Sequence, residues 1–311
     1  MMNRLPEHGA YAFIPYQASS LPSTSPASDA PSFKIKHTST WTYCGPLLSP
    51  SQLPSSLHTW STAATSSPSA LLRRLIPLLT FLHSFLISAG VHHYWLTLRA
   101  TTPTHEYDTP RWHVDDDFFA AFPSAAPGDS KANGQDKGSK TTGKKYSDGH
   151  GGWKLCTTLL GPSTLFLPIC LNATALSTLR AVKQVEAEKR SHVCTSIRCG
   201  GCFDTGLAVR CTLSSLFAFS EAVQAEDGEI AFFRTGEAQG AVHSEPRCDV
   251  DRVFVNVVPG TEEDLRTLMG QFGMGFPRAW SLGVGWDVGD GLDGLGGMAV
   301  ADTRESVVSE V

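Results

Sequence analysis

Short strand-like runs, separated by turns and polar insertions, are the feature that most constrains the fold of this sequence. The runs are rich in β-branched and aromatic residues, and glycine, proline or other turn residues bound them. They cover residues 93–100, 153–160, 164–168, 227–234 and 252–258. Several short strands joined by turns are typical of a sandwich or a jelly roll. The sequence therefore predicts a mainly β fold, a double-stranded β-helix (jelly roll), with decorating helices and disordered insertions.

Local patterns predict how some of these elements connect. The turn Gly161-Pro162-Ser163 lies between two of the runs and predicts a hairpin. Leucines at helical spacing from Leu71 to Leu86 predict a helix that begins near residue 69, stops at Gly90 and packs on the outside of the sheet. A polar helix is predicted over 174–190, and Thr261 is predicted to cap a short helix.

Composition divides the chain into three parts. Residues 1–68 are crowded with serine, proline and threonine, and are predicted to be mostly disordered apart from a strand within 33–43. The jelly-roll domain is predicted over 69–280, with insertions at 123–152 and 171–212. A glycine-rich tail, 281–311, follows it.

Charge and hydropathy limit the partners that we expect. The formal net charge of -5 gives no basic surface for nucleic acid or for an anionic membrane. The stretch 75–98 lacks Asp, Glu, Lys and Arg, but its proline, glycine and histidines argue against a membrane span. We therefore expect neither a nucleic-acid nor a membrane partner. The oligomeric state stays open.

The eight cysteines, with no visible signal segment, predict reduced thiols and an intracellular protein, cytoplasmic or nuclear. Four of them form a cluster at Cys194, Cys199, Cys202 and Cys211. Cys199 and Cys202 have a spacing that can bind zinc, but the other two do not form a second such pair. Structural zinc and ordinary reduced cysteines are both compatible with this pattern.

The stretch 111–119 carries the chemistry that the sequence offers. His113 and Asp115 are two residues apart in an extended segment, so both side chains can face the same way. A distant partner, His243, follows Gly240-Ala241-Val242. Two imidazoles and one carboxylate are the ligand set that holds Fe(II) with open coordination positions. His113, Asp115 and His243 are therefore the predicted metal ligands.

These motifs resemble a known family. A His-x-Asp pair, a hairpin, a Gly-Glu strand, a distal histidine and a strand that starts with arginine follow one another as in the Fe(II)/2-oxoglutarate-dependent oxygenases, whose fold is a double-stranded β-helix. More narrowly, residues 112–115, 158–164 and 240–244 are similar to those of a fungal-type family known only as a domain of unknown function. The resemblance covers about residues 93–258 and implies Fe(II) and 2-oxoglutarate as cofactor and cosubstrate.

The resemblance also implies a basic residue that anchors the far carboxylate of 2-oxoglutarate. Arg252 begins a strand nine residues after His243 and matches that position, and its guanidinium suits a carboxylate. Lys154, on a central strand, is a second candidate. The pattern expects a hydroxyl residue two positions beyond the arginine, where this chain has Phe254. Tyr107, Trp112 and Phe118 are predicted to line a substrate pocket.

Three functions remain open from the sequence. The first is an Fe(II)- and 2-oxoglutarate-dependent oxygenase whose substrate is not identified. The second is a cupin-like metal enzyme that uses the same ligands for other chemistry. The third is a non-catalytic jelly-roll binding or scaffold protein.

Overall fold

The structure is a computed structural model that describes residues 9–17, 33–119, 152–189 and 200–284. Over these ranges the elements follow in the order β1 (Tyr11–Pro15), β2 (Ser39–Pro46), α1 (Ser55–Ala64), α2 (Pro68–Ser88), β3 (His93–Thr101), β4 (Trp153–Leu160), β5 (Leu165–Phe166), α3 (Ile169–Lys189), α4 (Gly200–Leu216), β6 (Val223–Gln224), β7 (Glu229–Arg234), β8 (His243–Ser244), β9 (Arg252–Gly260), α5 (Glu262–Gln271) and β10 (Arg278–Leu282).

A seven-stranded antiparallel sheet forms the centre of the fold, with the strand order β1-β7-β4-β9-β3-β2-β10. Strand β9 lies in its middle and pairs with β4 on one side and β3 on the other. Because side chains alternate along a strand, Val253, Val255 and Val257 enter the main hydrophobic core, while Arg252 and Phe254 face the opposite side. The sheet thus separates a dry core from a polar face.

Helices α1 and α2 cover the dry face of this sheet. Six of the seven leucines that were predicted from their spacing pack into the core and are at most 2% exposed, while Leu72 is partly buried against it. The six are Leu71, Leu75, Leu78, Leu79, Leu82 and Leu86. This confirms the predicted helix and its position outside the sheet. By length and composition alone, α2 is also the one described helix that could cross a membrane. Its leucine stripe is instead occupied by packing on the sheet.

A second antiparallel sheet has the strand order β6-β5-β8. An isolated bridge between His113 and His243 extends it by one more segment. Helices α3 and α4 pack beside this sheet around a smaller core that includes Trp112, Leu213 and Val242. The small sheet therefore faces the polar side of the large one near β4 and β7.

The predicted hairpin over 153–168 is wrong. Strand β4 belongs to the large sheet, and β5 pairs with β6 and β8 in the small one. Strand β4 pairs with β7 from Trp153 to Cys156 and with β9 from Leu155 to Leu160, whereas β5 pairs on both of its sides within the small sheet. Gly161, with a φ of +82°, turns the chain from one sheet to the other.

The mainly β prediction is confirmed, with several helices added. Neither sheet closes on itself, so the double-stranded β-helix stays a prediction. The predicted strands at 93–100 and 252–258 appear as β3 and β9, and Thr261 caps α5 through a reciprocal pair of hydrogen bonds with Asp264.

The expectation of disorder before residue 69 is wrong for the residues that the structure describes there. They form β1, β2 and α1, and the strand predicted within 33–43 corresponds to β2. A few large side chains suffice to hold this polar segment, because Trp41, Leu57 and Trp60 are at most 1% exposed in the main core. Composition averaged over the segment concealed these anchors.

The predicted insertions have different outcomes. The insertion 123–152 lies outside the described residues except for Gly152. The insertion 171–212 is mostly helical: α3 confirms the helix predicted over 174–190, and α4 was not predicted. Residues 285–311 of the predicted tail lie outside the described residues, while its first two positions complete β10 at the edge of the large sheet.

The crossing between the two sheets can be tested by replacing Gly161 with alanine. A Cβ atom there would lie 2.5 Å from the carbonyl oxygen of Asp251, in a backbone conformation that disfavours L side chains. We expect Gly161→Ala to lower the free energy of unfolding by about 2 kcal/mol or more. Urea denaturation measures this change.

Gly206→Ala is the matched control. Gly206 lies inside α4, and a Cβ atom there would meet nothing within 4 Å. Alanine should raise stability by about 0.5–1 kcal/mol, because glycine is a poor helix former. Equal effects of the two substitutions would contradict the role of Gly161.

Candidate metal centre

The structure brings His113, Asp115 and His243 together, although 130 positions of sequence separate the two histidines. His113 and His243 face each other through two backbone hydrogen bonds of 2.9 Å, one in each direction. Their rings lie 4.4 Å apart between centroids. Asp115 follows His113 by one strand period, and one potential ligand atom from each residue lies within 4.8 Å of the other two. This arrangement is a possible metal site.

Hydrogen bonds set the orientation of both imidazoles. Nδ1 of His113 donates to the carbonyl oxygen of Arg111 at 2.7 Å, and Nδ1 of His243 donates to that of Ala241 at 3.0 Å. A carbonyl oxygen only accepts, so in each neutral ring the proton lies on Nδ1 and the lone pair on Nε2. Both Nε2 atoms point towards Asp115. Histidine ligands of metals commonly use such a second hydrogen bond.

Asp115 lies between the two rings and carries a buried partner of its own. Its Oδ1 is 3.9 Å from Nε2 of His113, and its Oδ2 is 3.6 Å from Nε2 of His243. The Nζ of Lys154 lies 2.7 Å from Oδ2, and both side chains are at most 4% exposed. Because Lys154 lies on β4 and Asp115 beside β8, this ion pair joins the two sheets.

Burial governs the protonation of two groups at the site. Desolvation lowers the pKa of His243 to about 4, although Asp115 opposes this shift. The ring is therefore neutral at physiological pH, as a metal ligand must be. Desolvation also raises the pKa of the Cys156 thiol to about 11, so this neighbouring sulfur stays protonated and is a poor ligand.

A small cavity opens beside the triad. Its volume is about 10 Å³, which is room for about one water molecule. It is lined by His113, Lys154, Cys156, Thr164, Phe233, His243, Glu245, Arg252 and Phe254. Both predicted basic residues thus reach the same cavity as the two histidines.

Arg252 and Lys154 play different parts in this cavity. The guanidinium of Arg252 lies over the ring of Phe254 at 4.7 Å, donates to the carbonyl oxygen of Pro162 at 2.9 Å, and lies 3.5 Å from the hydroxyl of Thr164. The ammonium of Lys154 is instead paired with Asp115. Arg252 therefore contacts Phe254 and Thr164 in the cavity wall, whereas Lys154 forms an ion pair with Asp115 of the triad.

Some residues that line the cavity were not predicted from the sequence, and one residue that was predicted to line a pocket does not. Glu245 follows His243 by the strand period of two, a signal that could have identified it. Thr164 and Phe233 had no comparable signal, because only the crossing of the sheets brings them to the cavity. Trp112 does not line the cavity: it is 2% exposed within the core beside α3 and α4.

The other two predicted pocket residues lie near the site without lining its cavity. Tyr107 packs against Arg111, and the ring of Phe118 lies 5.7 Å from the ammonium of Lys154.

The cysteine cluster is only partly described. Cys202 and Cys211 are exposed on α4, while Cys194 and Cys199 lie outside the described residues. The zinc hypothesis therefore stays a prediction. Within the described ranges, the triad is the one group of at least three His, Cys, Asp or Glu residues arranged to hold a metal ion.

The donor set fits a divalent transition metal. Two imidazole nitrogens and one carboxylate oxygen leave coordination positions open, as in non-haem Fe(II) sites, and the same donors accept Mn(II), Co(II) or Ni(II). No protein family, curated protein or solved structure matches this chain. The function is therefore inferred from the geometry of the site.

Replacing a ligand should abolish metal binding. His113→Ala removes one of the two nitrogen donors, and we expect the affinity for Mn(II) or Fe(II) to fall by at least about a hundredfold, as calorimetric titration would measure. His105→Ala is the control, because the side chain of His105 is 89% exposed at the surface and should not affect the site. Unchanged metal content in His113→Ala would favour the non-catalytic scaffold function.

The buried neutral state of His243 predicts how stability depends on pH. Below a pH of about 6.5 the unfolded chain binds a proton at this position, which the folded protein does not bind until about pH 4. The metal-free protein should therefore lose stability as the pH falls through this window, by about 3 kcal/mol from this group. Urea denaturation between pH 7.5 and 4 measures the loss. In His243→Gln the slope should be smaller, and an equal slope would contradict the assignment.

Proposed function

We propose that this protein is an Fe(II)- and 2-oxoglutarate-dependent oxygenase. One observation carries the proposal: two imidazole Nε2 atoms and one carboxylate converge beside a cavity that a guanidinium lines. His113, Asp115 and His243 would hold the ion, and Arg252 would bind the cosubstrate. Fe(II) with 2-oxoglutarate and dioxygen supplies oxidative chemistry that protein side chains lack.

Arg252 is the better of the two predicted anchors. Lys154 is already paired with Asp115 at 2.7 Å, so its positive charge is balanced by a carboxylate of the triad. The planar guanidinium of Arg252 matches the two oxygens of a carboxylate.

The hydroxyl that is expected near the anchor has a substitute in space. Phe254 occupies the position two residues beyond Arg252, but the hydroxyl of Thr164 lies 3.5 Å from the guanidinium. Thr164 comes from the turn before β5, so its hydroxyl reaches the anchor across the gap between the sheets. This contact supports 2-oxoglutarate despite the departure from the family pattern.

The two sheets also support the double-stranded β-helix that we infer for this fold. The His113–His243 bridge places a ligand segment at the edge of the small sheet, facing the polar side of the large one. In a jelly roll, metal ligands from strands distant in sequence meet between two such sheets.

A metal enzyme of other chemistry is the second candidate. The cavity volume of about 10 Å³ favours it, because one water molecule fits there and a five-carbon diacid does not. Binding of 2-oxoglutarate would require lining side chains such as Glu245 to move. Oxygen consumption by the Fe(II)-loaded protein without any 2-oxo acid would favour this alternative.

Anaerobic titration of the Fe(II)-loaded protein with 2-oxoglutarate tests the proposal. Chelation of Fe(II) by the 2-oxo acid should produce a metal-to-ligand charge-transfer band in the visible spectrum. Arg252→Met should shift the midpoint of this titration by at least about tenfold to higher 2-oxoglutarate, since it removes one charge-assisted hydrogen-bonded pair. Arg252→Lys, which keeps the charge but not the planar fork, should show an intermediate shift.

Arg247→Met is the matched control. Arg247 pairs with Asp108 and Asp249 at the surface, with 63% of its side chain exposed, so its loss should leave the midpoint unchanged. An iron-loaded protein without the band would exclude 2-oxoglutarate as the cosubstrate. A band with the same midpoint in wild type and Arg252→Met would exclude Arg252 as the anchor.

A further inference from the structure

Lys154 is a buried cation at a site built to receive another cation. It lies in β4 opposite Phe233 of β7, and its ammonium lies 5.8 Å from the ring of Phe233 and 5.7 Å from that of Phe118. Only 3% of its side chain is exposed. A buried ammonium is costly unless it is paired, and the carboxylate of Asp115 provides the pairing charge.

This pairing changes what Asp115 can offer to a metal ion. Oδ2 accepts a charge-assisted hydrogen bond from Lys154, whereas Oδ1 faces His113. This bond weakens Oδ2 as a metal ligand and leaves Oδ1 as the better donor. More of the coordination sphere then remains open for ligands from solution.

Within the part of the chain that the structure describes, the charges beside the cavity balance before any ion enters. Lys154 and Arg252 contribute two positive charges, and Asp115 and Glu245 contribute two carboxylates. A divalent ion would therefore leave two positive charges uncompensated in a buried space, which is unfavourable. An anion bound beside the ion would remove this excess.

We propose that Lys154 acts as a built-in counter-ion of Asp115 and thereby makes metal binding depend on an anionic co-ligand. Because linkage is reciprocal, the anion must strengthen metal binding by the same factor as the metal strengthens anion binding. The inference rests on the metal site of the proposed function but not on its oxidative reaction. It applies to dianions in general, which enter only if lining side chains such as Glu245 move, as they must for 2-oxoglutarate. It makes Lys154 a positioning residue rather than a ligand.

Titration of the full chain with Mn(II) tests this coupling. Mn(II) prefers oxygen and nitrogen donors, so the exposed cysteines do not compete for it. Calorimetry would be run without a co-ligand, with malonate, and with malonamide, which has a similar shape and no charge. In the wild type, malonate should raise the affinity for Mn(II) by at least about tenfold, and malonamide should leave it unchanged.

Lys154→Gln removes the charge but keeps an N–H donor for Asp115. Without a co-ligand this variant should bind Mn(II) about tenfold more tightly than the wild type, and malonate should add less. Lys154→Met, which removes the donor as well, should show the same direction and serves as a second variant if the first does not fold. Lys183→Gln is the control: it breaks the ion pair between Lys183 of α3 and Glu237, neither of which lines the cavity, and should behave as wild type.

The outcomes separate this inference from the proposed oxygenase function. Equal malonate effects in wild type and Lys154→Gln, or equal Mn(II) affinities without malonate, would overturn the role of Lys154 even if the charge-transfer band is present. Coupling through Lys154 without that band would support this inference and exclude 2-oxoglutarate. A wild-type protein that binds no Mn(II) would overturn both.

Discussion

The alternation of side chains along β9 is the constraint on which the rest of the structure depends. Three valines of this central strand enter the core under α2, so register on this face is strongly specified. The opposite residues, Arg252 and Phe254, are then forced onto the face that meets the small sheet. A shift of one residue would bury the arginine among leucines, and hydrophobic packing on one side of the sheet therefore positions the chemistry on the other.

The metal centre is assembled across the gap between the sheets rather than within one element. The small sheet holds the two histidines through mutual backbone hydrogen bonds, and the large sheet contributes Lys154 and Arg252. The ion pair between Lys154 and Asp115 is a direct electrostatic link between these halves. The same contact that aligns the sheets therefore also sets the charge of the site.

Much of the site could be predicted from the sequence, because short spacings and strand patterns identify several of its residues. His113 and Asp115 share a face through a spacing of two, and the strand that starts at Arg252 is visible from its run of β-branched and aromatic residues. The pairing of Lys154 with Asp115 could not be predicted, since it depends on how two sheets meet. The hairpin prediction failed for a related reason: the turn at Gly161 was recognised, but a turn does not reveal whether the runs on its two sides join the same sheet.

The two ends of the described chain protect the edges of the large sheet. Strand β1 covers β7 on one side, and β10 covers β2 on the other. Removal of β1 and β10 would leave one edge of β7 and one edge of β2 without a partner strand. The backbone groups of β7 and β2 would then be available to other chains, as in strand-by-strand aggregation. These two terminal segments thus pair with backbone groups of β7 and β2 that would otherwise be open to other chains.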